Sequence, residues 1–258
     1  MTATQPQASG PAVTTGVGGA VALVGTRIGL WVGAQLLLAG LLVASGAAAA
    51  GRAVNQAAGW WMVYAALVDL GTLGVIARLL RRDGGSYRDL LGPPTAAWQV
   101  ALGALGVLAA SVPAVVFSGE VTSAFYGTGA IPPMLALVEL PSWASVVSVL
   151  AVPLAELAEP VAYLGTVLPR LERRLGSWPA ASIVVAVWAA EHAFFPLLVG
   201  GGGVDLEFAA YRVVSVLPFL ASWTAAYYAL GRRLLPIMTA RLVFNGGTAV
   251  ALALGLVG

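Results

Sequence analysis

The chain has no cysteine and no lysine, a single histidine, and only 9% charged residues. Without cysteine there can be no disulfide framework, no thiolate metal site and no cysteine nucleophile. One histidine rules out a His-Glu-x-x-His zinc motif, and Glu191-His192 alone is not a ligand set. Serine catalysis would need a Gly-x-Ser-x-Gly elbow and a histidine to spare, and the chain has neither. No metal and no cofactor are expected. The net charge of +2 is scattered over short loops and forms no basic face, so nucleic acid is not an expected partner.

Apolar sequence fills the space that charge leaves. Of 258 residues 59% are hydrophobic, and the mean hydropathy is +0.90, whereas a soluble domain is about 25% charged. The composition predicts an all-α, polytopic membrane helix bundle. A helix needs about 20 apolar residues to cross the hydrocarbon. On that basis the gaps between charges predict about seven helices, near 25–50, 57–80, 94–118, 143–168, 178–199, 211–231 and 234–257. The stretch 121–140 is apolar but contains Gly127, Gly129, Pro132 and Pro133, so it is expected to be a re-entrant or interfacial loop. Residues 1–20 read as a disordered tail, 21–142 as N-terminal transmembrane helices and loops, and 143–258 as a transmembrane core. A cleaved signal peptide is not expected, because the tail has no basic region and the first apolar segment is of spanning length.

The arginines predict an orientation. Arg78, Arg81, Arg82 and Arg88 lie on one loop, Arg170, Arg173 and Arg174 on another, and Arg232 and Arg233 on a third, and these three loops alternate with weakly charged or acidic ones. The positive-inside rule makes the three cytoplasmic, which puts the N-terminus inside and the C-terminus outside.

Six ionisable residues then fall at bilayer depth: Asp69, Glu156, Glu159, Glu191, His192 and Arg241. Charge there is costly, and it is a functional-site hypothesis by default. At about 1.5 Å of rise per residue from the inner arginines, Asp69, Glu159, His192, Arg241 and Asn245 lie roughly 12–21 Å deep, in one layer. Glu156 and Glu159 share a helix face, as do Trp188 and His192, and Arg241 and Asn245. Glu191 and His192 are about 100° apart, so one of them, expected to be His192, points into a common site. Pro153 and Pro160 bracket the glutamates and should free helix carbonyls, which a membrane tolerates only where a cavity or a neighbouring side chain satisfies them; singly, either proline is an ordinary kink. The same layer also fits a plain polar clamp, with Arg241 pairing Glu156 or Glu159 to fix helix packing.

Three motifs in this half of the chain resemble those of the CAAX-protease and bacteriocin-processing (CPBP, Abi) family of glutamic-type intramembrane proteases. The family pattern Glu-Glu-x-x-x-Arg-Gly corresponds to Glu159-Pro160-Val161-Ala162-Tyr163-Leu164-Gly165, followed by Leu168-Pro169-Arg170-Leu171. Its Phe-x-x-x-His corresponds to Trp188-Ala189-Ala190-Glu191-His192, and its His-x-x-x-Asn/Asp to Arg241-Leu242-Val243-Phe244-Asn245. The spacings are family-like, and residues 88–92 sit where members often have a similar turn. The resemblance implies that Glu159 is a general base partnered by His192 and that Asn245 is one oxyanion donor, with Arg241 where the second donor would be. It implies a lipophilic, membrane-embedded or prenylated substrate in the bilayer. The expected location is a bacterial cell membrane.

This chain departs from the pattern at Pro160, Leu164, Trp188 and Arg241. Arg241 could serve as an oxyanion donor if free. It could instead lock Glu159 in an ion pair, unless Glu156 takes it up. Three functions follow as expectations: an intramembrane peptidase, an enzyme repurposed for non-proteolytic acid/base chemistry on a lipophilic small molecule or isoprenoid, or a non-catalytic scaffold or immunity protein.

Overall fold

In the computed structural model, residues 16–137, 142–200 and 203–256 are described. Apart from one short hairpin, the fold among them is helical. Helix α1 spans Val17–Ala44, and a 3₁₀ turn leads into α2, Ala53–Ala58. Then come α3, Trp61–Asp83; α4, Tyr87–Leu90; α5, Ala97–Tyr126; and α6, Pro133–Ala136. Helix α7, Ser142–Pro160, runs without a break through a π-helical segment, Val161–Val167, into α8, Leu168–Leu175. After α9, Ser177–Glu191, and a 3₁₀ turn at His192–Phe194, strands β1, Val199–Gly200, and β2, Gly203–Val204, pair antiparallel. Helices α10, Leu206–Ala229, and α11, Leu234–Ala253, complete the chain.

Among the described residues six helices are long and apolar enough to cross a membrane, which makes this a multi-pass membrane bundle. The segment expected at 178–199 is shorter than read: α9 has 15 residues, or about 22 Å of helix. Pro196 explains the early stop, because the residue before a proline is pushed out of the α region, and Phe195 is extended. The first helix is displaced toward the N-terminus, running 17–44 where 25–50 was expected. The Gly/Ala/Val run 17–24 is apolar enough to join it, and Gly46, at φ 72°, ends it. Residues 17–20 are therefore helical, and the rest of the expected tail lies outside the described residues apart from Gly16. Helix α5 extends to Tyr126, so the expected loop 121–140 begins as helix and turns only at Gly127 and Gly129, both at positive φ.

The arginine-rich loops gather at one end of the bundle. Arg170 pairs with Asp83 at 2.6 Å, Arg232 pairs with Glu172 at 2.8 Å, and the Leu234 amide donates to the Leu91 carbonyl at 3.0 Å. The last contact needs a glycine beside it. Gly92 has φ +89°, and a Cβ there would lie 2.4 Å from the Arg232 carbonyl oxygen. In the same turn the Asp89 carboxyl takes hydrogen bonds from the Ser86 amide and hydroxyl, which hold it below the usual carboxylate range. At the opposite end Asn55 bonds both polar groups of the Val199 backbone.

Helices from the two expected segments interlock, with α3 on α7 and both α10 and α11 on α5. The core centres on the π segment, where Val161, Ala162, Tyr163, Leu164 and Gly165 are all buried. Pro160 cannot donate an amide, and the ladder re-forms with the wider π spacing, the Leu168 amide reaching the Tyr163 carbonyl. The Leu157 carbonyl accepts from the Tyr87 hydroxyl at 2.5 Å, as a bilayer requires of a polar group beside a proline-interrupted helix.

Candidate functional site

Two arginines organise the buried polar layer. Arg241 on α11 donates from Nε to Glu156 at 2.6 Å and from a terminal nitrogen to Glu159 at 2.5 Å. One turn further along α11, Asn245 donates to the other oxygen of Glu156 at 2.6 Å, and the guanidinium lies 4.4 Å from the Trp223 ring centroid. Arg27 on α1 forms the second centre. It bonds both oxygens of Glu191, at 3.1 and 3.3 Å, and reaches Asp69 at 3.4 Å and Thr72 at 3.0 Å. The Trp31 indole donates to Glu191 at 3.0 Å, and the Tyr163 hydroxyl donates to the same carboxylate.

Trp188 ties the two centres together. Its indole N–H donates to Glu159 at 2.5 Å, and its carbonyl accepts from His192 Nδ1 at 2.8 Å. Its ring stacks on Tyr163 at 4.7 Å, and Tyr163 in turn holds Glu191. Phenylalanine, which the family pattern has here, offers no N–H. The tryptophan gives Glu159 a donor that a phenylalanine could not.

These bonds fix what is free. Glu159 Oε1 is taken by Trp188 and Oε2 by Arg241. A carbonyl can only accept, so His192 carries its proton on Nδ1, and Nε2 is the ring nitrogen without a partner among the described residues. No hydrogen bond joins Glu159 to His192 among these residues. The two instead line one cavity of about 300 Å³, together with Asp69, Arg241, Asn245 and the aromatic rings of Trp31, Trp61, Phe195, Phe219, Trp223 and Phe244. Glu156, Trp188 and Glu191 stand behind this lining and hold the residues that form it.

The expected residues thus divide into two groups. Glu156, Glu159, Trp188, Arg241 and Asn245 form one connected set, and Asp69 and Glu191 belong to the Arg27 set. Both members of the Glu191-His192 pair are used, on different sides of the helix end. Three residues that the sequence does not mark as site candidates matter as much. Arg27 was placed near the start of a helix beginning at 25; with α1 starting at Val17 it lies in the third turn and is buried. Arg212 is the second residue of the helix expected at 211–231, but α10 begins at Leu206 and carries it into the cavity wall. Tyr163 falls at a variable position of the first motif, so the pattern gave it no weight. Among the described residues no three His, Asp or Glu side chains converge at metal-ligating separation.

No family model, no curated protein and no solved structure matches this chain. The fold and the site therefore stand on their own residues.

Proposed function

We propose that the protein is an integral membrane enzyme that performs acid/base chemistry on a lipophilic small molecule, of isoprenoid or similar character, held in the aromatic cavity. The observation that carries this is the state of the two central groups. Both oxygens of Glu159 are committed to donors, while His192 keeps Nε2 free in the same cavity. A peptidase of the family's type would need Glu159 as a free base to activate water, and would need Arg241 or Asn245 free to meet an oxyanion. Here Glu156 and Glu159 occupy both of them. The cavity volume is that of a small-molecule pocket.

In this reading His192 Nε2 removes a proton from a C–H of the bound molecule, becoming an imidazolium, and the imidazolium returns a proton from Nε2 to another carbon. The product is an isomer, and no co-reactant is consumed. Glu159, fixed by Arg241 and Trp188, faces the imidazolium or any positive charge that develops in the cavity, and the aromatic rings add their negative faces. By the same reading the arginine-rich end is cytoplasmic, and the substrate enters from the bilayer.

The resemblance to intramembrane proteases supports this bundle as an enzyme scaffold, and the altered motifs support a change of reaction. The test incubates purified protein with the lipid-soluble extract of its host cells in D₂O and follows the extract by mass spectrometry. Deuterium entering a small molecule, lost in His192→Ala, is the expected result. Release of peptide fragments without such exchange would return the site to proteolysis.

A further inference from the structure

Arg212 is buried, as Arg27, Arg170 and Arg241 are, but no described carboxylate lies within ion-pair distance of it. It is 9% exposed, and its Nε has no hydrogen-bond partner among the described residues. Among the described residues it makes no ion pair. Its guanidinium stands over the Phe195 ring, 5.5 Å from the centroid, and Glu159 acts on it only across the cavity, beyond ion-pair distance. Arg27 and Arg241, by contrast, each hold two carboxylates. A lone buried cation is expensive, and this one lines the cavity that holds His192 and Glu159. The His192 ring packs 4.5 Å from the other partner of that contact, Phe195, so the free guanidinium and the free imidazole nitrogen flank one aromatic ring.

We propose that Arg212 is a binding residue for the anionic head of the substrate and that the substrate is a lipophilic carboxylate. This deepens the reading above and rests on it. The guanidinium fork matches a planar carboxylate. A single cation neutralises a single negative charge, whereas a diphosphate would bring two or three into a layer whose other arginines are already committed. The aromatic and aliphatic walls then take the apolar body, and the head group fixes which carbons lie near His192.

The experiment measures tryptophan quenching in the full-length protein, in phosphatidylcholine discs at pH 8, by 12-bromododecanoate and by 12-bromododecan-1-ol. Trp31, Trp61 and Trp223 line the cavity and report occupancy. The wild type should bind the carboxylate more tightly than the alcohol by about 10- to 100-fold, as expected of a hydrogen bond to a charged group. Arg212→Met should abolish the preference while keeping alcohol binding, and Arg212→Lys should restore part of it. Arg212→Met should also melt no lower than the wild type, because it removes an unpaired buried charge. His192→Ala and Glu159→Gln should keep the carboxylate preference, so a failure of the proposed chemistry is seen in deuterium exchange and a failure of this inference in the binding ratio. Equal binding of acid and alcohol by the wild type would overturn it, as would an unchanged preference in Arg212→Met or a lower melting temperature in both Arg212 variants.

Discussion

Arg241 holds two carboxylates through different nitrogens, so it and its two partners should respond unequally to mutation. Arg241→Met strands Glu156 and Glu159 together and should destabilise by about 3–5 kcal/mol. Glu156→Leu leaves Arg241 on Glu159 and should cost less. The triple variant Arg241→Met, Glu156→Leu, Glu159→Gln should recover most of the loss. Thermal melts of detergent-extracted protein check the order, and a Glu156→Leu protein less stable than Arg241→Met would refute the shared pairing. Trp188→Phe keeps the stack on Tyr163 and the carbonyl bond to His192 but leaves Glu159 Oε1 without its donor. It should cost about 1–3 kcal/mol, again read from the melt. The sequence reading reached Glu159, Arg241 and Asn245 because polar residues at bilayer depth stand out against apolar neighbours. It could not see that Trp188 serves Glu159 with its side chain and His192 with its carbonyl, since that depends on how α9 meets α7. Arg27 and Arg212 are not legible for another reason: both fall within three residues of an expected helix start, and the observed helices begin one to two turns earlier, which carries both into the interior.

Helix types and approximate positions were legible from hydropathy, while boundaries were not. An apolar run such as 17–24 gives no charge at which to start a helix, and α9 gives way at Glu191 to a 3₁₀ turn ahead of Pro196, which hydropathy alone ignores. The turn between α4 and α5 is where an element depends on one residue. Gly92 combines positive φ with a backbone approach that leaves no room for a Cβ. Gly92→Ala should therefore cost about 1–3 kcal/mol through strain and loosen the start of α11. The expected signs are a lower melting temperature and faster amide exchange at Leu234, whose N–H is bonded to Leu91. A melt identical to the wild type would show that α11 does not depend on this brace.

For the whole molecule, α1, α3, α7, α9, α10 and α11 all put side chains into one polar layer, with arginine-rich loops gathered at one end. The proposed orientation, by the positive-inside rule, puts that end in the cytoplasm, so a cysteine introduced at Gly85 should label only from inside and one at Val204 only from outside. The reverse pattern would invert the orientation. The central claim is that Glu159 and His192 act across the cavity as one catalytic unit and are not there merely as packing. Residues acting as a unit are non-additive. The decisive measurement compares deuterium exchange into the lipid-soluble substrate, alongside the melting temperature, for Glu159→Gln, His192→Ala and the double variant. The account predicts that each single change abolishes exchange while the protein melts near the wild-type temperature, and that the double variant is no worse than either. Loss of folded protein in proportion to loss of exchange would contradict it and leave the layer as a structural clamp.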